Sequence, residues 1–141
     1  MMQVINVFAV GLLVMHSMAF ADTDPECLNH LGGGMSDVQC YAGLMNDIMA
    51  KNKTAYADLA RTIPKNNRYA ALLRGYMHRV DENIKDCELA RQAMNQWATV
   101  DDTPTMTPHH DYDVMYYQCG YETRKRQAEY LKLLWDLDHG N

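Results

Sequence analysis

The 141-residue sequence lacks the motifs that carry common hydrolytic and metal-dependent chemistry. It has no Gly-x-Ser-x-Gly turn for a nucleophilic serine and no His-Glu-x-x-His pair for catalytic zinc. At least twelve residues separate any two of its four cysteines, whereas zinc-binding cysteines usually come in pairs two to four residues apart. These absences predict a protein that is not an enzyme and that needs no cofactor or metal ion.

Charge is missing from the first 21 residues, which are mostly apolar and contain both phenylalanines. They end in Ala19-Phe20-Ala21, the small-x-small pattern that signal peptidase cuts. The usual Lys or Arg near the start is missing. Because about 17 to 25 apolar residues can span a bilayer, an uncleaved membrane anchor is the alternative. We expect a signal peptide over residues 1–21, cleavage after Ala21, export, and no membrane association of the mature chain.

Residues 22–141 have the length of one ordinary domain and contain all of the formal charge of −5. An acidic balance of this kind argues against nucleic acid as a partner. The aromatic residues of this part are Tyr and Trp alone, whose amphipathic rings suit partly exposed surfaces and interfaces. The Tyr-rich faces would therefore suit the interface of a homodimer.

Hydrophobic spacing of three and four residues predicts three main helices. The first begins at a capping box of Ser36 and Gln39 and ends near Thr62, before Pro64. The second, over residues 67–97, is predicted to be the central helix and carries this apolar face: Tyr69, Leu72, Leu73, Tyr76, Val80, Ile84 and Cys87. The third starts after Asp113 and shows two apolar stripes, which imply two neighbours. The fold class is therefore all-α: a small antiparallel bundle stapled by disulfides, with a long loop between the second and third helices.

Four cysteines in an exported chain predict two disulfides. If the first two helices pack antiparallel, Cys40 lies almost level with Cys87, and we expect these two to be bonded. Cys27 is then left for Cys119, so that the N-terminal segment lies against the third helix. The sequential pairing, Cys27–Cys40 with Cys87–Cys119, is the alternative.

The predicted loop, residues 100–113, contains four aspartates and no Lys or Arg. Pro104 and Pro108 prevent a continuous helix, and loops of this length are often functional. His109, His110, Asp111 and Asp113 have metal-ligand chemistry, but a structural zinc site needs four ligands in fixed geometry, so a solvated polar loop whose Asp113 caps the third helix is the favoured interpretation. We predict that the loop contacts a protein partner through these residues: Asp101, Asp102, Met106, His109, His110, Asp111 and Tyr112.

The sequence resembles the LprI-type lysozyme-inhibitor family in three features: the intervals between its four cysteines, Tyr56-Ala57-Asp58-Leu59 after Cys40, and Thr123-Arg124-Lys125-Arg126 after Cys119. The resemblance covers nearly the whole mature chain. It departs from the family pattern at Asn52-Lys53 and at Arg74-Gly75-Tyr76-Met77. The resemblance implies a periplasmic protein that blocks a lysozyme-like peptidoglycan hydrolase. If that enzyme is basic, an acidic surface on this protein would increase the rate at which the two associate. An immunity protein against a peptidoglycan-degrading effector of type VI secretion and an envelope adaptor without inhibitory activity are the alternatives.

Overall fold

The computed structural model describes residues 25–98 and 110–140, and in this part it contains α-helices, short 3-10 turns and no β-strand. The four α-helices are α1 (Met35–Thr62), α2 (Ala70–Lys85), α3 (Cys87–Met94) and α4 (Val114–His139). A 3-10 turn, Glu26–His30, precedes α1, and a second, Asp111–Asp113, precedes α4. None of the described helices is long and apolar enough to cross a membrane.

The predicted second helix is divided at Asp86, whose backbone N–H bonds to the carbonyls of Asn83 and Ile84. Helix α3 starts at the next residue, so α2 and α3 together form the second of three helical arms. The connection from α3 to α4 spans residues 95–113 and contains no α-helix where the structure describes it. The all-α prediction of three helical arms, with a loop between the second and third, is confirmed.

Helix α1 starts differently from the prediction, because no Ser36–Gln39 capping box forms. Gly34 is the N-cap residue, and its φ of 80° lies in the region that glycine adopts without a steric penalty. The Asp37 carboxylate instead accepts hydrogen bonds from the backbone N–H groups of Gly32 and Gly33, at 3.1 and 2.8 Å. An acidic side chain in the first turn also complements the helix dipole.

Helix α4, and not the predicted second helix, is the centre of the bundle. It forms its largest packed interface with α1, and it also contacts both α2 and α3. Val38 and Ala42 near the start of α1 pack on Tyr117 near the start of α4. Leu59 near the end of α1 packs on Leu131, farther along α4. Since contacts follow the same order on both helices, α1 and α4 are parallel.

Gly120 of α4 leaves room for a side chain of α1. A Cβ added at Gly120 would lie 2.5 Å from the sulfur of Met45, whereas Gly43 has open space around it. Gly120 is buried and faces α1, so the absence of a side chain allows the Met45 side chain to occupy that space. The sequence alone gave no reason to treat these two glycines differently.

Helices α2 and α3 run antiparallel to α4 on its other side. Leu73, near the start of α2, joins the cluster around Leu131, while Cys87 of α3 is bonded to Cys119 near the start of α4. Helix α4 therefore does have two neighbours, as its two stripes predict, although Tyr130 and Leu137 of the second stripe are exposed. The second neighbour is the α2–α3 arm, and the expected placement of the N-terminal segment there is wrong.

The disulfides are Cys27–Cys40, with a Cα–Cα distance of 5.8 Å, and Cys87–Cys119, with a distance of 5.6 Å. The predicted Cys40–Cys87 and Cys27–Cys119 bonds are wrong, and the sequential alternative is correct. The prediction failed because it placed the first two helices side by side. With α4 packed on both of them, Cys87 faces α4, and the 3-10 turn folds back so that Cys27 reaches the start of α1.

Candidate functional site

A buried polar layer joins the three arms near the middle of the bundle. Asn52 Nδ2 of α1 donates hydrogen bonds to the Arg124 carbonyl and to Gln127 Oε1 of α4, at 2.8 and 2.9 Å. Arg124 Nη1 donates to the same Gln127 oxygen at 3.0 Å, and its Nη2 lies 2.7 Å from an Asp81 carboxylate oxygen of α2. Gln127 Nε2 points to the Met77 sulfur at 3.2 Å. The layer is structural and fixes the relative positions of the helices.

A second buried polar cluster joins α3 to the 3-10 turn before α4; these elements lie on either side of residues 99–109, which we call the loop segment. Arg91 and Asp113 are both fully buried, and Arg91 Nε lies 2.6 Å from Asp113 Oδ1. Arg91 Nη1 lies 3.1 Å from Glu88 Oε1, and the guanidinium carbon is 5.2 Å from the centre of the Tyr112 ring. Because Arg91 precedes the loop segment and Asp113 follows it, this ion pair connects α3 to the turn on the other side of the segment. The Cys87–Cys119 disulfide is a covalent link at the same end of the bundle.

Three of the seven predicted contact residues lie together against this cluster. The ring of His110 stacks on Tyr112 with 4.7 Å between the ring centres, and Asp111 between them is exposed. The His110 backbone N–H donates to Asp113 Oδ2 at 3.0 Å. The other four, Asp101, Asp102, Met106 and His109, lie outside the described residues, so the structure does not test their part in the prediction.

Asp113 was predicted to cap the third helix. It does occupy the residue position before α4, but its carboxylate makes no capping bond to that helix. One of its oxygens is bound to Arg91 and the other to the His110 backbone. Its principal role is therefore to join α3 to the turn before α4. Sequence alone does not reveal this role, since Arg91 and Asp113 are 22 positions apart.

Helix α3 ends in a Schellman motif built without glycine. The Trp97 N–H donates to the Gln92 carbonyl at 2.7 Å, and the Gln96 N–H donates to the Ala93 carbonyl at 3.0 Å. Gln96 and Trp97 have φ angles of 54° and 60°, which cost about 1–2 kcal/mol per residue for side chains other than glycine. The motif holds the exposed Trp97 ring immediately before the loop segment.

Acidic and basic side chains are concentrated at opposite ends of the described bundle, which the net charge of −5 does not reveal. We call residues 25–50, 86–98 and 110–123 the acidic pole. Residues 51–85 and 124–140 are the basic pole, and the buried polar layer lies at the boundary between the two. The acidic pole has one basic side chain, Arg91, which is buried and paired, against these acidic ones: Glu26, Asp37, Asp47, Asp86, Glu88, Asp111, Asp113 and Glu122. The basic pole has six acidic side chains against these Lys and Arg residues: Lys51, Lys53, Arg61, Lys65, Arg68, Arg74, Arg79, Lys85, Arg124, Lys125, Arg126 and Lys132.

Tyr116 and Tyr117 of the acidic pole have pKa values above that of an exposed phenol. Burial raises the pKa of Tyr117 to about 12, with smaller contributions in the same direction from Asp113 and Tyr116, while Arg91 opposes the shift. Burial also raises the pKa of Tyr116, and Glu88 adds to that effect. The phenols therefore act as packing and hydrogen-bonding groups at neutral pH.

Within residues 25–98 and 110–140, no group of three or more His, Cys, Asp or Glu side chains could hold a metal ion. Comparison of the chain with protein-family models, curated proteins and solved structures finds no match. A function must therefore be argued from the site itself. The features available for that argument are the acidic pole, the anchored ends of the loop segment and the exposed side chains around them.

Proposed function

We propose that the protein is a periplasmic inhibitor that binds and blocks a lysozyme-like peptidoglycan hydrolase, as its resemblance to the LprI-type family implies. The observation that supports this proposal most is the acidic pole, in which the single basic side chain is buried and paired. A surface of one charge attracts a partner of the opposite charge and raises the rate of association. A basic hydrolase is the kind of enzyme that such a surface would attract.

Contact with the enzyme is made by the loop segment and by the residues that follow it. His110, Asp111 and Tyr112 lie at one of its anchored ends, and Asp101, Asp102, Met106 and His109 are the proposed contacts within it. The Arg91–Asp113 ion pair and the Cys87–Cys119 disulfide keep the ends in place before the partner arrives. Fixing the ends in advance lowers the entropy lost on binding and so favours insertion into a substrate cleft.

The proposed location is consistent with the covalent structure. Both pairs of cysteines are oxidised to disulfides, a state that persists in oxidising compartments such as the bacterial periplasm. The proposed export route is the signal peptide over residues 1–21, which lies outside the described residues. In this proposal the protein acts by binding alone, without turnover and without a cofactor.

The acidic pole would serve an immunity protein equally well. In that case the enzyme neutralised is a peptidoglycan-degrading effector delivered by rival cells through type VI secretion. The two functions differ in the target and share the binding surface. They are separated by which enzyme is inhibited: a host-type lysozyme, or a secreted effector encoded beside this chain.

A different observation favours an envelope adaptor or a homodimer. Large apolar side chains are exposed on neighbouring parts of α2 and α4, where the rings of Tyr76 and Tyr130 lie 4.9 Å apart. The exposed residues of this α2–α4 face are Tyr69, Leu72, Tyr130, Leu133 and Leu137. An apolar surface of this kind is typical of protein interfaces. Cross-linking in intact cells distinguishes the functions, since an adaptor would capture several envelope proteins and an inhibitor one hydrolase.

The test of the proposed function is inhibition of peptidoglycan lysis by the purified, oxidised mature protein. Lysozymes, secreted muramidases and secreted amidases are assayed one by one. We expect at least one to be bound and inhibited, with affinity that falls as salt concentration rises. Neutralising Asp101, Asp102 and Asp111 with Asn should weaken inhibition and flatten the salt dependence. The matched control neutralises exposed acids of the basic pole, Glu129→Gln with Asp138→Asn, and should change little.

A further inference from the structure

We propose that the α2–α4 face binds a second copy of this chain, with α2 of each copy packed on α4 of the other. The proposal commits the face to one partner and fixes how the two copies are oriented. Every residue of the face belongs to the basic pole, so the acidic pole of each copy remains accessible. The proposal therefore does not rest on inhibition of a hydrolase.

The face is one continuous surface made of two apolar stripes. Each stripe has three residues, separated by a step of three and then of four: Tyr69 (the N-cap residue), Leu72 and Tyr76 of α2, and Tyr130, Leu133 and Leu137 of α4. The rings of Tyr76 and Tyr130 lie 4.9 Å apart. Because α2 and α4 are antiparallel, the start of the α2 stripe lies level with the end of the α4 stripe, seven residues from the ring contact on each helix. All of these side chains except Tyr76 are 44–68% exposed.

The outer edge of the α2 stripe is basic. Leu72 is its outer residue, since the neighbouring Leu73 is buried in the core. Arg79 lies seven residues after Leu72 and therefore on the same side of the helix. Arg68 precedes the helix, and its guanidinium carbon lies 4.8 Å from the centre of the exposed Tyr69 ring. Both arginines are exposed, and neither forms an ion pair within the part of the chain that the structure describes.

The outer edge of the α4 stripe carries acidic residues. Leu133 is its outer residue, since Leu134 packs against the core. Glu129 and Asp136 lie four residues before and three residues after Leu133, on the same side of the helix. Glu129 is exposed and has no ion pair in the described ranges, while Asp136 Oδ2 lies 2.5 Å from Lys132 Nζ. The two edges of the face therefore present charges of opposite sign to a partner.

These charges select one of two symmetric ways in which identical faces can meet. With the two-fold axis along the helices, α2 packs antiparallel on α4 of the second copy, in the register set by the ring contact. Along the helix axis, Arg79 then lies within about 3 Å of Glu129 of the second copy. Arg68 lies equally close to Asp136. With the axis perpendicular to the helices, α2 packs on α2 and Arg68 faces Arg79. On the other helix pair, Glu129 faces Asp136, so that like charges meet twice.

Other charges near the face do not reverse this choice. Each acid of the α4 edge has a basic neighbour on its own helix: Arg126 beside Glu129, and Lys132 beside Asp136. These bases weaken both contacts of the proposed dimer. The perpendicular arrangement is still worse, because Glu82, the acid of α2 nearest to Arg79, is already bound to Lys85 at 2.9 Å. Asp138 lies about 100° around the helix from Leu137 and so takes no part.

The face is large enough for a weak, reversible dimer. Its exposed apolar side chains and the charged edges would bury roughly 1,200 Å² over both copies, which is the lower end of the range for specific interfaces. Such an area corresponds to a dissociation constant in the micromolar range. The two acidic poles then point in the same direction, and at physiological salt their repulsion is screened beyond about 8 Å.

The experiment measures self-association of the oxidised mature protein by sedimentation equilibrium, at concentrations on both sides of the expected dissociation constant. The parent protein should form dimers and no larger species, because a two-fold contact closes on itself. Leu133→Ser, in the middle of the α4 stripe, should raise the dissociation constant about tenfold or more. Leu89→Ser is the matched control, because Leu89 is 60% exposed on α3, outside the face, and its replacement should change little.

A charge reversal tests the arrangement separately from the face. Arg79→Glu should raise the dissociation constant about three- to tenfold, because the new carboxylate meets Glu129 of the second copy. Adding Glu129→Arg to the same chain should restore most of the lost affinity. In the perpendicular arrangement, Arg79→Glu would instead meet Arg68 and tighten the dimer. Arg74→Glu is the matched control, since exposed Arg74 lies two residues after Leu72 and thus on the other side of α2.

Each contrary result overturns a defined part of the proposal. A parent protein that stays monomeric at every concentration shows that the face belongs to a different protein, and the proposal fails. A dimer that Leu133→Ser leaves intact uses another surface, and the proposal fails again. A dimer that Arg79→Glu strengthens has the perpendicular arrangement, and the proposed orientation is wrong. None of these results bears on inhibition of a hydrolase, which is tested at the acidic pole.

Discussion

Replacing Asp113 with Ala tests whether the buried ion pair holds the base of the loop segment. The change leaves the Arg91 guanidinium fully buried without its closest carboxylate, and it also removes the acceptor of the His110 N–H. Breaking a buried ion pair on one side typically costs about 3–5 kcal/mol. Since Glu88 still lies 3.1 Å from Arg91, we expect the lower end, about 3 kcal/mol.

The measurement is the free energy of unfolding from urea titrations with both disulfides intact. Asp111→Ala, two positions away and exposed, is the matched control and should change stability by no more than about 0.5 kcal/mol. Replacing both partners with apolar residues, Arg91→Met with Asp113→Leu, should recover part of the loss, because no fully buried charge then remains. Glu88 loses its ion pair with Arg91 but keeps its hydrogen bond from Gln92. An Asp113→Ala variant as stable as the Asp111→Ala variant would refute the reasoning.

Three further predictions concern the core, its ionisation and its covalent links. Gly120→Ala displaces the flexible end of the Met45 side chain and should therefore be less favourable in urea unfolding than Gly43→Ala, which lies in open space and should stabilise the fold by about 0.5–1 kcal/mol; equal effects would contradict the contact with Met45. The pKa of Tyr117 is raised from 10.0 to about 12 in the folded state, so its contribution to stability is complete below pH 10 and is lost as the pH rises through about 12. Ultraviolet titration of the Tyr117→Phe variant against the parent should show one late-ionising phenol missing, and identical curves would contradict this. Removing the Cys87–Cys119 bond by a double Ser substitution should lower the free energy of unfolding by about 4 kcal/mol in the chain-entropy model, and a loss under 1 kcal/mol would argue against that account.

The periodic spacing of apolar residues was sufficient to predict the helices, because burial of one helix face imposes a local pattern on the sequence. Leu73, Val80, Ile84 and Cys87 are all buried as predicted, while Tyr69 and Leu72 of the same predicted apolar face are exposed. The order in which helices pack is a non-local property, and it was predicted wrongly. The clearest local sign of the true arrangement was the pair of apolar stripes on the third helix, which only a helix with two neighbours requires.

The buried polar residues were the main features that could not be predicted from the sequence. Arg124 belongs to a run of three basic residues, a pattern typical of a solvated face, yet it is buried and paired with Asp81. Asn52 opens an Asn-x-Thr sequence typical of exposed glycosylation acceptors, yet it lies in the polar layer. A polar residue in such a position is favourable only when its partners are placed by distant segments. No local pattern encodes that placement.

The acidic pole is visible in the sequence only after the topology is known. The absence of Lys and Arg from residues 25–50 and 110–123 could be read directly, but nothing in the sequence placed these segments at one end of the bundle. The parallel packing of α1 and α4 brings their starts together, and the antiparallel α2–α3 arm adds Asp86 and Glu88 to them. Charge segregation is therefore a consequence of the fold.

The central claim is that the acidic pole binds and inhibits a basic peptidoglycan hydrolase. The most direct measurement is the inhibition constant of the oxidised mature protein against each enzyme of the lysozyme, muramidase and amidase panel, at low and at physiological salt. The account predicts inhibition of a basic enzyme, weakened by salt and by neutralising Asp101, Asp102 and Asp111, and unaffected by Glu129→Gln with Asp138→Asn. Absence of inhibition across the panel, or inhibition that is insensitive to both salt and the acidic-pole substitutions, would contradict it.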